Sequence, residues 1–153
     1  MTASVALEQP GPSSWSHRLP VIVLALVGCG VASYLTLYQL HLTSSVWDPL
    51  FGSASSEKVL TWARPIPDAA LGAAAYLVEA VLTALGDEHR YRTNPRLVLV
   101  FGIVLAGLAA TSLVLIVIQV LVVHALCSLC LLSAAMSFIN AWLGYPEVRA
   151  REA

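Results

Sequence analysis

Four long apolar stretches divide the chain, at residues 19–42, 66–85, 97–123 and about 125–143. An α-helix needs about 20 consecutive apolar residues to cross a hydrocarbon core that is ~30 Å thick. Each stretch is close to that length or longer, and charged residues are almost absent from all four. The pattern therefore predicts an all-α integral membrane protein, folded as a four-helix bundle.

Local signals support the second stretch and the junction between the third and the fourth. Pro67 and Asp68 suit the first turn of a helix, because proline lacks only an N–H that has no partner there. A carboxylate also favours the positive end of the helix dipole. The fourth stretch starts almost where the third ends, so we expect a tight helical hairpin around His124.

The basic residues are distributed unevenly between the segments that connect these stretches. In a four-span arrangement, one side carries six arginines: Arg18, Arg90, Arg92, Arg96, Arg149 and Arg151. The other side carries only Lys58 and Arg64. Because cytoplasmic segments are enriched in lysine and arginine, we expect both termini to be cytoplasmic in a multi-pass protein of the inner (plasma) membrane.

This topology defines three segments. Residues 19–143 form the membrane domain, with a long outer loop at 43–65. Residues 1–18 are polar and contain proline and serine, and we expect them to be a disordered cytoplasmic N-terminus. Residues 144–153 form a cytoplasmic tail.

Composition agrees with a membrane protein and argues against nucleic acid as a partner. Hydrophobic residues make up 58% of the chain and charged residues only 11%, with a mean hydropathy of +0.79. An ordinary soluble domain has about 25% charged residues. The net charge of -1 provides no basic patch for nucleic acid, so we expect the lipid bilayer instead.

The sequence Leu26-Val27-Gly28-Cys29 matches the pattern at which bacterial lipoprotein signals are cleaved and lipidated. A signal peptide's apolar region ends near its cleavage point, whereas this one continues to residue 42. An uncleaved helix is therefore favoured, in which Cys29 is a small packing residue.

The motif Cys127-Ser128-Leu129-Cys130 is the strongest candidate for chemistry, and we predict that both cysteines are catalytic. Two cysteines at this spacing can close and reopen a disulfide, and the outer face is where disulfides persist. A helix N-terminus also stabilises a thiolate, the species that attacks disulfides. We expect Cys127 to be the more exposed, exchange-competent sulfur.

Two other interpretations of this motif remain open. The cysteines can be buried packing residues without a redox role. They can also bind zinc together with His124, but a closed structural zinc site needs four ligands and the sequence has no second cysteine pair. We therefore expect no metal.

A few other polar residues fall within or at the ends of the stretches. Glu79 is the one acid in the body of its stretch, and we expect it to reach interfacial water or an arginine of loop 86–96 rather than relay protons. His41 and His124 can hydrogen-bond a quinone carbonyl, but more commonly such histidines anchor helix ends. Tyrosines in these stretches are more often packing or interfacial residues than ligand contacts. They are Tyr34, Tyr38 and Tyr76.

Over residues 19–143 the chain resembles the vitamin K epoxide reductase family. The landmarks, in order, are Ser33-Tyr34-Leu35-Thr36, Val59-Leu60, Ile66-Pro67, Leu71-Gly72, Tyr76 and Cys127-Ser128-Leu129-Cys130. Only the cysteine motif is specific by itself, and the others count as an ordered set. The resemblance implies a four-helix bundle around a quinone of the menaquinone, ubiquinone or phylloquinone type. It also implies that Cys130 lies next to the quinone, while Cys127 exchanges with the incoming disulfide relay.

The outer loop departs from the family pattern. The family usually carries a second cysteine pair there, the latter member just before the Val-Leu step, but residues 46–60 contain no cysteine. Ser56 stands where that second shuttle cysteine is expected, and serine cannot form a disulfide. The resemblance therefore implies a membrane thiol:quinone oxidoreductase that exchanges directly with a thioredoxin-like exported partner. The alternative is a degenerate, non-enzymatic member that acts as a membrane binding or assembly subunit.

Overall fold

The computed structural model describes residues 10–152, and every regular element in that range is helical. The elements are α1 (Trp15–Gln39), α2 (Ser53–Trp62), α3 (Asp68–Ala84), α4 (Arg90–Thr93), α5 (Pro95–Ile118), a π-helical segment (Gln119–Val123) and α6 (Ser128–Glu152). The prediction of an all-α protein is confirmed.

Three of these helices are long and apolar enough to cross a membrane: α1, α5 continued by the π-helical segment, and α6. Many large apolar side chains on them face outwards, such as Val23, Ile103 and Leu132. This surface suits lipid better than water. The second predicted span corresponds to α3, which has 17 residues and starts at Asp68 as expected. Since 17 residues is the lower limit for a span, the count of four spans stays a prediction.

The long helices pack side by side in the order α1, α3, α5, α6, and α6 also contacts α1. Near the middle, the core contains Ala25 and Ala32 of α1, Tyr76 of α3 and Leu108 of α5. Small residues on α1 allow this close approach, as expected for helices that pack within a membrane. The helices therefore enclose a common interior.

The N-terminal boundary differs from the prediction. Residues 15–18, which we expected to be disordered, form the first turn of α1, and residues 1–9 lie outside the described part. Arg18 is buried, and its guanidinium donates to the carbonyls of Thr83, Leu85 and Gly86. These hydrogen bonds satisfy carbonyls at the end of α3 that have no partner within their own helix, which orders the start of α1.

The C-terminal boundary also differs, because α6 continues without a break from the membrane domain to Glu152. Glu147 is buried and forms a bidentate ion pair with Arg90, through Nε and through Nη2 at 2.8 Å. The hydroxyl of Ser13 donates to the same carboxylate at 2.6 Å. The segment 144–153 therefore belongs to the packed structure at least as far as Glu147.

Candidate active site

Cys127 lies immediately before α6 and caps it. Its carbonyl accepts from the N–H of Leu131 at 3.0 Å, and its Sγ accepts from the N–H of Cys130 at 3.2 Å. A side chain that accepts a hydrogen bond from this position fulfils the role of an N-cap. The predicted placement of the motif at a helix start is confirmed, although the helix begins at Ser128 rather than near residue 125.

A buried carboxylate fastens the outer loop to this helix start. Asp48 accepts from the N–H of Ser128 at 2.8 Å and from its hydroxyl at 2.7 Å. It also accepts from the hydroxyl of Ser56 and from the N–H groups of Leu50 and Phe51, both at 2.9 Å. With donors from both segments, one side chain holds the loop against α6.

These hydrogen bonds determine the charge of Asp48. Burial raises the pKa of its carboxyl group, but the hydrogen bonds from Ser56, Phe51 and Ser128 outweigh burial and hold the pKa well below its usual range. The stabilisation from this group is complete above the unfolded pKa of about 3.9 and is lost as the pH falls through the lower, folded value. The loop attachment is therefore independent of pH near neutrality.

Ser56 occupies the place where the resemblance expects a shuttle cysteine. It is fully buried, donates to Asp48 and lies beside the Cys127 thiol. Its hydroxyl donates a hydrogen bond to Asp48 at the place where a cysteine would supply a sulfur for a disulfide. The loop is thus held to the CxxC segment by polar contacts.

The expectation that Cys127 is the more exposed sulfur is wrong. Cys127 is 0% exposed, whereas Cys130 is partly exposed. The outer loop covers Cys127, which packs in one cluster with Leu35 of α1, Val46 of the loop and Leu60 of α2. Both thiols are free in the structure, as is that of Cys29.

Gln119 organises the turn that presents Cys127. Its side-chain carbonyl accepts from the N–H of Cys127 at 3.1 Å, and its backbone carbonyl accepts from Ala125 at 3.2 Å. The π-helical segment Gln119–Val123 is followed by His124, whose φ of 52° lies in the left-handed region. The predicted hairpin around His124 is confirmed, with a π-helical turn of the kind that often occurs at functional sites.

A cavity of about 490 Å³ opens between the helices on the side of Cys130. Its wall is mostly apolar, and small residues, among them Gly72, Ala75 and Gly107, leave the space. Cys130 lines this cavity and Cys127 does not. Its volume falls within the range of small-molecule sites, about 300–1,000 Å³.

Polar side chains also line the cavity, among them Asp68 and Gln119, and some of them are fixed by neighbours. The hydroxyl of Tyr76 donates to the carbonyl of Ser133 and shares a 2.6 Å hydrogen bond with the hydroxyl of Ser137. All three residues line the cavity. Sequence reasoning favoured a packing role for Tyr76, and the structure adds this polar contact beside the cavity.

The Cys127 thiol lies in the connection between α5 and α6, outside the helical spans. The hydrogen bond from the Cys130 thiol lowers the pKa of Cys127 to about 7, against the opposing effect of burial. The Ser56 hydroxyl and the N–H of Cys130 lower the pKa further. A large fraction of Cys127 is therefore thiolate near neutral pH, which makes it a better nucleophile than an ordinary cysteine.

The other residues singled out in the sequence lie apart from the cysteines. His41 and His124 are exposed at helix ends and do not line the cavity. Cys29 packs in the middle of α1. Tyr34 accepts from the N–H of Trp47 at 3.0 Å and so supports the outer loop. Within residues 10–152, no group of three or more histidine, cysteine or acidic side chains is placed to bind a metal.

Glu79 does not make the contact that we expected. Arg90 of loop 86–96 pairs with Glu147 instead, and Glu79 is fully buried in α3. Both of its carboxyl oxygens lack a hydrogen-bond partner within the described structure. The same is true of the side-chain amide of Asn140 on α6.

A family model, Vitamin K epoxide reductase family, matches residues 19–145, which is most of the chain. The chain belongs to the vitamin K epoxide reductase family. This family usually consists of membrane oxidoreductases and is associated with quinone substrates. No curated protein and no solved structure matches the chain. Some of the residues that carried the resemblance to the vitamin K epoxide reductase family line the cavity, namely Leu35, Leu60, Leu71, Gly72, Tyr76 and Cys130.

Proposed function

We propose that the protein is a membrane thiol:quinone oxidoreductase in which Cys127 and Cys130 are the catalytic pair. The observation that carries this proposal is that the two sulfurs face different surroundings. Cys130 lines an apolar cavity of about 490 Å³, while Cys127 caps α6 beneath the outer loop. A pair arranged in this way can receive electrons on one side and deliver them on the other.

The residues around the cavity fit a quinone. Apolar helix residues form most of its wall, as a greasy ring and tail require, and the hydroxyls of Tyr76 and Ser133 lie on it as polar groups for a carbonyl oxygen. A bound quinone supplies an acceptor of two electrons and two protons. The chain's own part is to hold Cys130 at the cavity and to exclude water from it.

In one cycle of the reaction, one dithiol is oxidised and one quinone is reduced by two electrons. A reduced thioredoxin-like partner attacks the Cys127–Cys130 disulfide at Cys127, and Cys130 leaves as a thiolate. The partner's second thiol then releases Cys127, so that the partner is oxidised and the pair is reduced. Reoxidation of the pair to its disulfide releases two electrons and two protons. We propose an exported partner because the outer loop of this chain has no cysteine pair of its own.

Burial of Cys127 imposes a condition on this exchange. A partner can reach the sulfur only if residues 43–65 move away from α6, which requires the hydrogen bonds of Asp48 to Ser128 to break. We propose that docking of the partner displaces the loop. A closed loop between turnovers protects the Cys127 thiolate from unspecific oxidation.

The proposed topology has α3 as a fourth span of a four-helix bundle in the plasma membrane, with both termini in the cytoplasm. Residues 19–143 are the membrane domain and loop 43–65 lies outside. The arginines support this orientation, because six of the eight basic residues fall on the side of the termini. In addition, Arg18 and Arg90 meet at the same end of the structure, around the end of α3.

The second candidate is a non-enzymatic membrane subunit. Two observations favour it. Cys127 is fully covered, and Ser56 stands in the place of a redox-active cysteine. In that case Cys127 is a capping residue, and its exchange with a partner is not required. The two candidates differ in what their cysteine variants capture.

Trapping of the partner tests the proposal. Cys130→Ser leaves Cys127 without its internal disulfide partner, so that Cys127 attacks the oxidised partner and forms a mixed disulfide, which alkylation at lysis preserves by blocking the partner's second thiol. We expect this adduct on non-reducing gels, and we expect Cys127→Ser to give little or none. Cys29→Ser, which changes a thiol of α1 that does not line the cavity, serves as the control and should behave as the wild type. Absence of an adduct from Cys130→Ser in cells under aerobic growth would favour the non-enzymatic subunit.

A further inference from the structure

Glu79 and Asn140 form a buried polar pair that the proposed reaction does not use. Both are 0% exposed, and neither side chain has a hydrogen-bond partner in the described residues. The amide of Asn140 on α6 lies beside the carboxyl group of Glu79 on α3. An ionised carboxylate without a counter-charge is very costly in an apolar interior, so Glu79 holds a proton at rest.

Polar residues continue on both sides of this pair along the same helix faces. On α6 the inward-facing positions, spaced by three, four or seven residues, are Cys130, Ser133, Ser137, Asn140 and Glu147. On α3 they are Tyr76, Glu79 and Thr83. The 17 positions from Cys130 to Glu147 correspond to about 26 Å of helix, which is close to the thickness of a hydrocarbon core. Polar side chains thus recur along the buried face of α6, between apolar residues such as Ala134 and Met136.

The pair lies one turn beyond the cavity. Tyr76 and Ser137, which are joined by a 2.6 Å hydrogen bond, both line the cavity. Glu79 and Asn140 each follow one of these residues by three positions on its helix. Residues at this spacing have Cβ atoms about 5–6 Å apart, so Glu79 lies one turn from Tyr76 and Asn140 one turn from Ser137.

Glu79 is nearer to the end of the bundle that lies away from the cysteines. Five residues separate it from the end of α3 at Ala84, about 8 Å, and eleven separate it from the start at Asp68, about 16 Å. Thr83 is on the next turn, and its hydroxyl donates to the Glu79 carbonyl at 2.7 Å. The shorter route to water therefore runs to the far end.

The charged groups at that end come from three elements packed against α3 and compensate one another in part. They are Arg18 of α1, Arg90 of α4 and Glu147 of α6. The two arginines donate to carbonyls within residues 82–86, and Glu147 accepts from Arg90 and from the hydroxyl of Ser13. The part of α5 next to α3 contributes apolar side chains such as Phe101 and Leu105. No hydrogen bond in the described structure joins Glu79 to any of these charges, so none of them holds its carboxyl group in the ionised form.

We propose that Glu79 is the proton donor to the cavity beside Cys130, through the hydroxyls of Tyr76 and Ser137, and that it is reloaded from the far end of the bundle. This inference rests on the proposed function. For each dithiol oxidised, two electrons and two protons enter the cavity, and the thiols release two protons at the Cys127 end. Protons are thus taken up at one face of the membrane and released at the other, so that turnover moves charge across it.

The resting proton on Glu79 can be tested without a quinone. Infrared spectra of the purified, quinone-free protein should contain the carbonyl stretch of a protonated carboxylic acid at neutral pH. Glu79→Gln should remove this band and Glu79→Asp should shift it. The control Glu88→Gln, at an exposed acid in the loop after α3, should leave it unchanged. A spectrum without such a band, or a band that survives Glu79→Gln, would overturn the proposal.

The donor role is tested in vesicles that contain the full chain, a dithiol on the Cys127 side, a naphthoquinone and a voltage-sensitive dye. We expect the wild type and Glu88→Gln to generate a membrane potential during turnover. Glu79→Gln should reduce quinone about 10²-fold more slowly, and Tyr76→Phe should slow it while keeping the infrared band. Rescue of both rate and potential by Glu79→Asp would separate loss of the proton from loss of folding.

The outcomes distinguish this inference from the function on which it rests. Quinone reduction by Glu79→Gln at the wild-type rate, or turnover of the wild type without a potential, would overturn the donor role and leave the thiol:quinone activity intact. Absence of dithiol-dependent quinone reduction in the wild type would overturn the proposed function, and the donor role with it.

Discussion

Cys127 is stabilised as a thiolate by neighbours that are local in sequence. The thiol and the N–H of Cys130 both belong to the first turn of the helix that Cys127 caps, and both point at its sulfur. This arrangement follows from the CxxC spacing at a helix start, which the sequence alone predicts. Its burial does not follow from the spacing, because the cover comes from Val46 and Leu60, far away along the chain.

The pH dependence of Cys127 reactivity tests this environment. In the reduced protein, alkylation of Cys127 by a small uncharged reagent should rise with pH around a midpoint of about 7. The sign follows from the lowered pKa, since the reactive thiolate is present above the midpoint and is lost as the pH falls below it. An ordinary cysteine has its midpoint near 8.5.

The variant Cys130→Ala removes the thiol that donates to Cys127 but keeps the backbone N–H. Its midpoint for Cys127 should therefore move upwards, whereas Cys130→Ser, with a hydroxyl donor, should move it less. Peptide mass spectrometry after timed alkylation reports Cys127 separately from the other thiols. A wild-type midpoint near 8.5, or equal midpoints in the two variants, would show that Cys130 does not act in this way.

Asp48 shows which residues sequence reasoning cannot find. It lies in the segment of the outer loop whose one notable sequence feature is the lack of cysteine, and its hydrogen-bond partner Ser128 is 80 positions away. Only the fold brings the two together. Gln119 gave a weak signal, as an amide within an apolar stretch, but nothing in the sequence indicated that it holds the N–H of Cys127.

At the scale of the helices, the hydrophobic pattern predicted the positions of the four long elements and the boundaries of α3 within a few residues. It failed at the two ends of the chain. Arg18 belongs to the segment that we expected to be disordered and Glu147 to the predicted tail. Both are buried: Arg18 donates to carbonyls at the end of α3, and Glu147 pairs with Arg90. A buried ion pair consists of the same residue types as an exposed one, so the hydrophobic pattern of the sequence could not reveal that this pair is buried.

Gly28 tests the packing of α1 against α3. A Cβ atom at this position would lie 2.7 Å from the ring of Tyr76, which its hydrogen bonds to Ser133 and Ser137 hold in place. Gly28→Ala should therefore lower stability by about 1–3 kcal/mol and weaken the binding of a naphthoquinone. Thermal unfolding in detergent and quinone titration measure the two effects.

Gly30 is the matched control in the same helix, because a Cβ there meets no atom within 4 Å. Gly30→Ala should be neutral or stabilise the helix by about 0.5–1 kcal/mol, since alanine is the better helix former. Equal losses of stability in the two variants, or none in either, would contradict the close contact between Gly28 and Tyr76.

At the scale of the whole molecule, the proposed reaction involves three levels of the bundle. The outer loop and Cys127 lie at one end, the cavity with Cys130 and Tyr76 lies in the interior, and Arg18 and Arg90 lie at the other end around the end of α3. The sequence and its resemblance predicted the cysteines and a quinone. They implied a site for the quinone within the bundle but could not identify the residues that line the cavity, because its space depends on small residues of separate helices that meet at one level.

The most direct test of the proposed function is the transfer of electrons through the cysteine pair to a quinone. The purified, oxidised protein is mixed with a naphthoquinone of short isoprenoid tail, and a dithiol is added while the quinone absorbance is recorded. We expect reduction by the wild type and by Cys29→Ala, and none above the uncatalysed rate by Cys127→Ala or Cys130→Ala. Reduction that persists without either cysteine, or no reduction by the wild type with any of the naphtho- or benzoquinones offered, would contradict the account.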